Sequence, residues 1–399
     1  MPVLAIQYLE DGPHLAQLAP QVAAARLREA LARLPFDRVL IGWNLPAAIL
    51  GACAEECARA GAALYRWHPL LTGDASMAVR SEWQTVALNG SPVPGFQGMP
   101  EFTFLCPNRP AAAEAALQHL DRALASGPYQ GVFLDRIRFP SPSSNPPASF
   151  GCFCSDCQRA ASQEGLDLLA ARSEIASALR TPAGARRLIR SLLSPATDPS
   201  RDPTLASVLD FRERAINRFV ARAVEIARHR GLAVGLDVFS PALARMVGQN
   251  LTDLARLADW VKIMSYAHTF GPAGLPFELL GLADWLVEQR DTAEGEALAL
   301  LAEATGLPLP ADRASLRHAG LPPEALRREV MRARQAGPGV WLAGIELVEV
   351  AGVAELDEAQ IRADLAAVRA AGADGLVLSW DLWAIPLERL ELVHTEESL

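Results

Sequence analysis

The sequence predicts an α/β protein folded as one (β/α)₈ barrel, also called a TIM barrel, that spans residues 1–399. Eight short apolar runs, each the length of a buried strand, follow one another along the chain. Between them lie segments rich in Ala, Leu, Arg and Glu, with the apolar spacing of amphipathic helices. Hydrophobic residues make up 50% of the chain, which is enough for the core of one barrel-sized domain.

The eight predicted strands are short and almost entirely apolar, as expected for parallel strands that are covered on both faces. Several of them follow a Gly or Asp turn signal. The runs are VLAIQYL from Val3, RVLIGWN from Arg38, AALYRWHP from Ala62, GVFLDRIRF from Gly131, LAVGLDVFSP from Leu232, WVKIMSY from Trp260, VWLAGIELV from Val340 and GLVLSWDLW from Gly375. A doubly wound open sheet is the alternative, but no glycine-rich phosphate-binding loop follows the first run.

Two of the predicted connections are too long for simple strand–helix units. Residues 140–210, after strand four, include part of the cysteine cluster, and residues 271–338 follow strand six. Both are rich in Leu and Ala, so we predict helical insertions rather than unstructured linkers. A third connection, Thr72–Pro100, contains Gly, Pro, Asn and Ser and is predicted to lie over the barrel mouth.

Charge and hydropathy exclude several classes of partner. The net charge is −9 and no Arg-rich arm is present, so we expect no nucleic acid partner. No apolar run reaches the roughly 18 residues of a membrane span, so we expect no membrane partner. The first residues enter a strand without the features of a signal peptide, and we therefore expect a cytoplasmic protein. The sequence carries no signal for an oligomeric state.

Four of the six cysteines form a candidate metal site. Cys152, Cys154 and Cys157 have the spacing C-x-C-x-x-C, and Cys106 is the obvious fourth ligand. Loops of neighbouring barrel strands end on the same face, so the four thiolates can surround one tetrahedral, structural Zn²⁺. The alternative is a set of reduced, metal-free thiols. The other two cysteines, in ACAEEC, are interpreted as small apolar residues of a helix.

The segment around this cluster carries a family resemblance. The stretches CPNRP, GVFLDRIRFP and FGCFCSDC resemble the zinc-binding segment of glycoside hydrolase family 42 β-galactosidases. LDRIRFP is also similar to the LD-x-IR-[YF]-P signature of uncharacterised glycosyl hydrolase-like barrels. The resemblance implies a barrel fold, a zinc site and action on carbohydrate. The β-galactosidases have an Asn-Glu pair at the end of strand four, where this chain has Asp135, Arg136 and Ile137.

Three carboxylates at strand ends are the candidate catalytic groups. Glycoside hydrolysis needs two carboxyl groups, and the strands of such a barrel present their functional groups at their C-terminal ends. Asp135 on strand four and Glu346 on strand seven are predicted as acid/base and nucleophile, with Asp237 on strand five in support. Because two arginines neighbour Asp135 and would stabilise its anion, the alternative makes it the nucleophile or charge stabiliser. Glu346 or Asp237 would then be the acid.

Aromatic and polar residues at the strand ends suit a carbohydrate, whose C–H faces stack on aromatic rings. Four of the eight tryptophans lie there: Trp43, Trp67, Trp380 and Trp383. The predicted substrate-binding residues are Trp43, His68, Arg136, Arg138, Lys262, Tyr266, Trp380 and Asp381. The alternative for individual members of this set is a core ring or a buried ion pair.

Lys262 is the only lysine among 37 basic residues, and it lies in an apolar run. A desolvated lysine on a late barrel strand could form a Schiff base, as in class I aldolases. Pairing with Asp237 or Glu346 is the other interpretation. The sequence therefore predicts a glycoside-hydrolase-like enzyme, with a non-catalytic sugar-binding barrel or a Schiff-base lyase as alternatives.

Overall fold

The computed structural model describes residues 2–10, 13–74, 76–143 and 145–394. Its eight strands form a closed parallel barrel in sequential order, in which the first strand pairs with the last. Each predicted run contains one of them, so the (β/α)₈ prediction is confirmed. The strands are β1 (Val3–Tyr8), β2 (Arg38–Ile41), β3 (Ala63–Pro69), β4 (Gly131–Asp135), β5 (Ala233–Phe239), β6 (Trp260–Met264), β7 (Trp341–Glu346) and β8 (Gly375–Ser379).

Helices surround the barrel, and those of the two long connections add to this outer layer. The helices before β5 are α1 (Pro20–Arg33), α2 (Ala47–Ala60), α3 (Pro110–Leu124), α4 (Ser155–Gln163), α5 (Leu168–Ala178), α6 (Pro182–Leu193) and α7 (Pro203–His229). Those after it are α8 (Pro241–Ala244), α9 (Leu251–Leu257), α10 (Leu275–Arg290), α11 (Glu294–Thr305), α12 (Arg313–Ala319), α13 (Pro323–Ala336), α14 (Glu358–Ala370) and α15 (Arg389–His394).

Both long connections are helical, as predicted. Residues 140–210 contain α4, α5, α6 and the first turns of α7, and residues 271–338 contain α10 to α13. Side-chain caps begin several of these helices; Asp202, for example, accepts a hydrogen bond from Leu205 N at the start of α7. Among the described residues, no helix is long and apolar enough to cross a membrane.

Aromatic side chains fill the lower part of the barrel interior. The ring of Phe133 stacks on Trp260, with centroids 5.1 Å apart, and Tyr65 meets the same indole edge-on. Glycines on the neighbouring strands make this possible. A Cβ on Gly235 would lie 2.2 Å from the Trp260 indole, and one on Gly131 would lie 2.1 Å from the Tyr65 ring. These rings close the lower part of the barrel interior, with the Arg38 guanidinium 4.9 Å from the Trp260 ring centroid at the N-terminal end, so a cavity is left only towards the C-terminal ends of the strands.

Candidate active site

A cavity of about 190 Å³ lies at the C-terminal ends of the strands. It is lined by residues from seven of the eight strands or the loops that follow them, which is where enzymes with this fold carry their chemistry. Six of the predicted site residues line it: Asp135, Arg136, Arg138, Asp237, Tyr266 and Trp380. The structure therefore brings together about half of the predicted site.

Asp135 ends β4 and is held by two N–H donors. The indole Nε1 of Trp67 donates to its Oδ2 at 3.0 Å, and its Oδ1 accepts the backbone N–H of Arg136 at 2.5 Å. Directly after this contact, Arg136 has a positive φ of 53°, so the chain turns sharply as it leaves β4. Such backbone conformations are rare outside glycine and cluster at functional sites. Both N–H donors fix the orientation of the Asp135 carboxylate.

Asp237 lies beside Asp135 on the next strand. The β4–β5 register pairs Leu134 with Leu236. Asp135 and Asp237 each follow these residues directly, so the two aspartates lie side by side on neighbouring strands. Lys262 Nζ donates to Asp237 Oδ2 at 2.9 Å, whereas Oδ1 is buried without a hydrogen-bond partner among the described residues. Burial raises the pKa of Asp237 to about 7, and the Asp135 charge adds to this, despite the opposing effect of Lys262.

Lys262 is completely buried beneath the cavity. Its Nζ donates to Gln7 Oε1 at 3.0 Å and to Tyr266 Oη at 2.7 Å, in addition to Asp237. Burial lowers the pKa of Lys262, but Asp237 and Tyr266 outweigh this and raise it above its ordinary value. An ammonium whose three protons are all engaged has no free lone pair for imine formation. The structure therefore favours the ion-pair interpretation of Lys262.

The two arginines after Asp135 are held by aromatic rings. The Arg136 guanidinium lies 5.2 Å from the Trp43 ring centroid and 4.8 Å from that of Phe102. Its NH1 donates to the Glu101 carbonyl at 2.7 Å. Arg138 lies between two other rings, Phe104 at 4.4 Å and Phe239 at 4.6 Å. Both cations thus face the cavity in fixed positions.

Glu346, at the end of β7, does not line the cavity. Its carboxylate accepts the N–H groups of Ala267 and His268 at 3.0 and 3.1 Å, and the hydroxyl of Thr269 at 2.5 Å. Burial raises the pKa of Glu346 to about 7. These contacts join the end of β7 to the loop after β6, which carries Tyr266 into the cavity.

Three other predicted substrate-binding residues lie outside the cavity lining. Trp43 is buried and meets Trp67 edge-on at 5.1 Å, as part of the barrel core. His68 is fully buried, and its ring centroid lies 5.1 Å from that of His119 on α3. Asp381 accepts the N–H groups of Leu9, Glu10 and Trp383, which ties the loop after β8 to the loop after β1.

Several cavity residues were not predicted as site residues. Trp67 was noted only as a tryptophan at a strand end, although its indole contacts Asp135 directly. Others, including Glu10, Phe102 and Thr269, come from the loops after β1, β3 and β6. No periodic pattern in the sequence predicts where the side chains of such loop residues lie. Trp67 could have been found, because it has the same inward parity on β3 as Tyr65.

The four predicted metal ligands come together away from this cavity. The sulfur atoms of Cys106, Cys152, Cys154 and Cys157 all lie within 4.8 Å of one another, and all four residues are buried. Three N–H groups point at sulfurs: Val86 N at Cys152, Asn108 Nδ2 at Cys157 and Cys157 N at Cys154, at 3.3–3.4 Å. Such N–H···S contacts suit thiolate ligands of a metal ion.

The two remaining cysteines are separate from this cluster. Cys53 and Cys57 are buried on α2, and burial raises the pKa of each thiol to about 12. They remain protonated at neutral pH and pack as small apolar groups, as predicted.

Comparison with known proteins shows which proteins share this fold but does not assign the chain to a family. No protein-family model matches the chain, and no curated protein matches it in sequence. The structure is similar to the PgaB (BpsB) glycoside hydrolase domain of Bordetella bronchiseptica, with a TM-score of 0.56 and 13% identity over 98% of both chains. A class V chitinase from Pseudomonas fluorescens Pf-5 aligns over 99% of both chains, with a TM-score of 0.49 and 10% identity. At such identities the likeness shows a shared barrel fold, and the resemblance to family 42 stays a prediction.

Proposed function

We propose that this protein is a glycoside-hydrolase-like enzyme that cleaves glycosidic bonds with Asp135 and Asp237. The observation that supports this most directly is the pairing of two carboxyl groups in one cavity, in unlike environments. The Asp135 carboxylate accepts hydrogen bonds from Trp67 Nε1 and from the Arg136 N–H, whereas burial raises the pKa of Asp237 to about 7. Divergent environments of this kind separate the acid from the anion in carboxylate pairs.

In this proposal, each group has one role. Protonated Asp237 donates to the glycosidic oxygen as the bond to the leaving sugar breaks. The Asp135 carboxylate stabilises or attacks the positively charged anomeric carbon. A water molecule, deprotonated by Asp237, then adds to that carbon, which releases the sugar and returns both carboxyl groups to their starting states. Neighbouring parallel strands lie roughly 4.8 Å apart, which favours the close carboxyl spacing, about 5 Å, of retaining enzymes. Trp380 and Tyr266, with ring centroids 6.4 Å apart, supply an aromatic wall for a sugar ring.

The barrels related in fold include the PgaB glycoside hydrolase domain, so carbohydrate is the first substrate class to test. We would screen aryl glycosides and oligosaccharides and measure newly released reducing ends. The Asp135→Asn variant should lose at least about 10³-fold in kcat/KM. The matched control is Asp121→Asn, on the exposed face of α3, which should retain the wild-type rate.

Two results would contradict the proposal. One is an Asp135→Asn variant that cleaves as fast as the wild type. The other is wild-type protein that binds a glycan in calorimetry but never cleaves it, which would identify the non-catalytic sugar-binding barrel instead. A borohydride-trapped adduct at Lys262 with a carbonyl substrate would establish the lyase alternative.

We propose zinc as the metal of the four-cysteine centre. Four thiolates in a closed, buried set are the ligands that structural zinc prefers. Because the four thiolates leave no coordination position for a substrate, the ion would stabilise the fold and would take no part in catalysis. Protein purified without added metal or chelator should contain one zinc per chain. Cys154→Ser should lose it, whereas Cys53→Ser, which removes a buried cysteine elsewhere, should not. Wild-type protein without zinc, or with another metal in its place, would contradict this assignment.

A further inference from the structure

Two further cavities adjoin the cavity at the barrel mouth. A second cavity of about 300 Å³ shares Phe102, Arg138 and Pro272 with it. A third, of about 600 Å³, shares Phe96 and Phe277 with the second and is lined in part by residues of α10. The three adjoining cavities, together called the cleft, offer much more space than the mouth cavity around the two aspartates.

Phenylalanines from different segments line this cleft. Phe96 meets Phe102 edge-on at 6.3 Å and Phe277 edge-on at 5.3 Å. Phe270 lines the third cavity. All four rings are half-buried, unlike the aromatic residues of the barrel interior. Half-exposed rings along a groove offer successive stacking faces to the apolar sides of sugar rings.

Charged groups along the cleft are of both signs and are partly paired with each other. In the third cavity Arg317 NH2 lies 3.1 Å from Asp284 Oδ2, in an ion pair. Glu278, beside the second, accepts hydrogen bonds from the hydroxyls of Ser141 and Ser143. The second and third cavities are lined by three carboxylates and only two arginines, so their walls have no positive excess that would attract an anionic sugar chain, and we take the ligand to be uncharged.

We infer that this phenylalanine cleft, defined by Phe96, Phe102, Phe270 and Phe277, binds consecutive sugar residues of a neutral oligosaccharide. The inference rests on the proposed function and specifies its substrate. The enzyme would act on chains, with one sugar at the carboxylates and further residues along the cleft. A simple aryl glycoside would occupy only the mouth cavity and would be a poor substrate.

The test is a chain-length series of the neutral oligosaccharide that the screen identifies. We expect kcat/KM to rise at least 10-fold over the first few added residues. Phe277→Ala should lower kcat/KM at least 10-fold more for the longest substrate than for the shortest. Leu169→Ala, at an exposed apolar residue of α5, is the control. The affinity of Asp135→Asn for the same series, measured by calorimetry, gives a second readout that needs no turnover.

A kcat/KM and a binding constant that are both independent of chain length would overturn the inference, as would an equal loss for short and long substrates in Phe277→Ala. Neither result would argue against the proposed roles of Asp135 and Asp237. Conversely, length-dependent binding without cleavage would retain the cleft and remove the hydrolase proposal.

Discussion

At the scale of single residues, the Asp237 carboxyl group has the most distinctive environment of the candidate site. One of its oxygens is held by Lys262, and the other is buried without a partner among the described residues. Burial is the largest effect on its pKa, and it acts in the direction that keeps a proton on the acid at neutral pH. An acid with a pKa near 7 is well matched to proton donation at that pH.

The first prediction is that kcat/KM decreases on the alkaline side of its pH profile. Since Asp237 must be protonated to act as the acid, kcat/KM should fall as the pH rises through about 7. Asp237→Asn should have a lower rate and lack this decrease. An unchanged decrease in the variant would assign it to another group.

The raised pKa of Asp237 also makes the free energy of unfolding depend on pH. The folded-state pKa of Asp237, about 7, lies above the ordinary value of about 3.9. The stabilisation that comes from retaining this proton is present at low pH and is lost as the pH rises from about 4 to about 7. Urea unfolding across that range would measure it, with Asp237→Asn as the reference.

The Lys262 side chain has room in the barrel interior because the residue opposite it on β7 is a glycine. A Cβ on Gly344 of β7 would lie 2.7 Å from Lys262 Cε and 2.9 Å from the Ile263 carbonyl oxygen, so only glycine leaves room for the lysine chain. The ammonium then reaches Gln7, Asp237 and Tyr266 together. This one cation therefore organises polar groups from β1, β5 and the loop after β6.

The second prediction concerns removal of that cation. At about pH 8, where Asp237 is ionised, Lys262→Met should lower the free energy of unfolding by about 3–5 kcal/mol, because it leaves the buried Asp237 anion without its donor. Lys262→Met combined with Asp237→Leu should lose less than Lys262→Met alone, since no unpaired charge remains. Urea denaturation measures both. A double variant no more stable than the single one would contradict the ion-pair account.

At the scale of secondary-structure elements, β7 and the loop after β6 act as a unit through Glu346. Three donors of residues 267–269 converge on one buried carboxylate. This loop begins next to Tyr266, which contacts Lys262 and lines the cavity. We therefore assign Glu346 the role of a positioning residue within the proposed mechanism.

The third prediction separates this role from that of a nucleophile. Glu346→Gln keeps an acceptor oxygen and should reduce kcat/KM by less than about 100-fold, whereas Asp135→Asn should lose at least about 10³-fold. The shape of the pH profile should not change in Glu346→Gln. A loss as large as that of Asp135→Asn, together with azide rescue of a Glu346→Gly variant, would restore Glu346 as the nucleophile.

The strands also explain which of the predicted site residues meet in the cavity. Asp135, Asp237 and Tyr266 were predicted from their positions at strand ends, and the barrel brings them to one cavity. Trp43 and His68 were predicted by the same rule but are buried away from it. His68 lies on β3 next to the inward-facing Trp67, so strand alternation alone turns its side chain to the other face. Trp43 follows the end of β2, where the path of the loop decides its position and strand alternation no longer applies.

At the scale of the whole molecule, the barrel and both helical connections share one hydrophobic core. Leu188 and Leu192 of α6 belong to the same buried cluster as Leu298 and Leu301 of α11 and the outward faces of the strands. The two insertions therefore pack on each other as well as on the barrel. We propose that residues 1–399 form one cooperative domain.

The fourth prediction follows from this shared core. Calorimetric unfolding of the full chain should show one transition, with the calorimetric enthalpy equal to the van 't Hoff enthalpy. Removal of the cysteine-bound metal should lower Tm without splitting the peak. Two separate transitions would show that an insertion unfolds on its own.

The sequence by itself determined the barrel, its eight strands, the two helical connections and the four cysteines that meet. These features rest on local periodicity, strand length and the rule that neighbouring loops end on one face, all of which can be read along the chain. The tertiary structure alone decided that Asp237 lies beside Asp135, that Glu346 binds a loop, and that phenylalanines from separate segments form one cleft. Such arrangements depend on register, loop path and burial. They bring together residues far apart in the chain, and no local pattern specifies them.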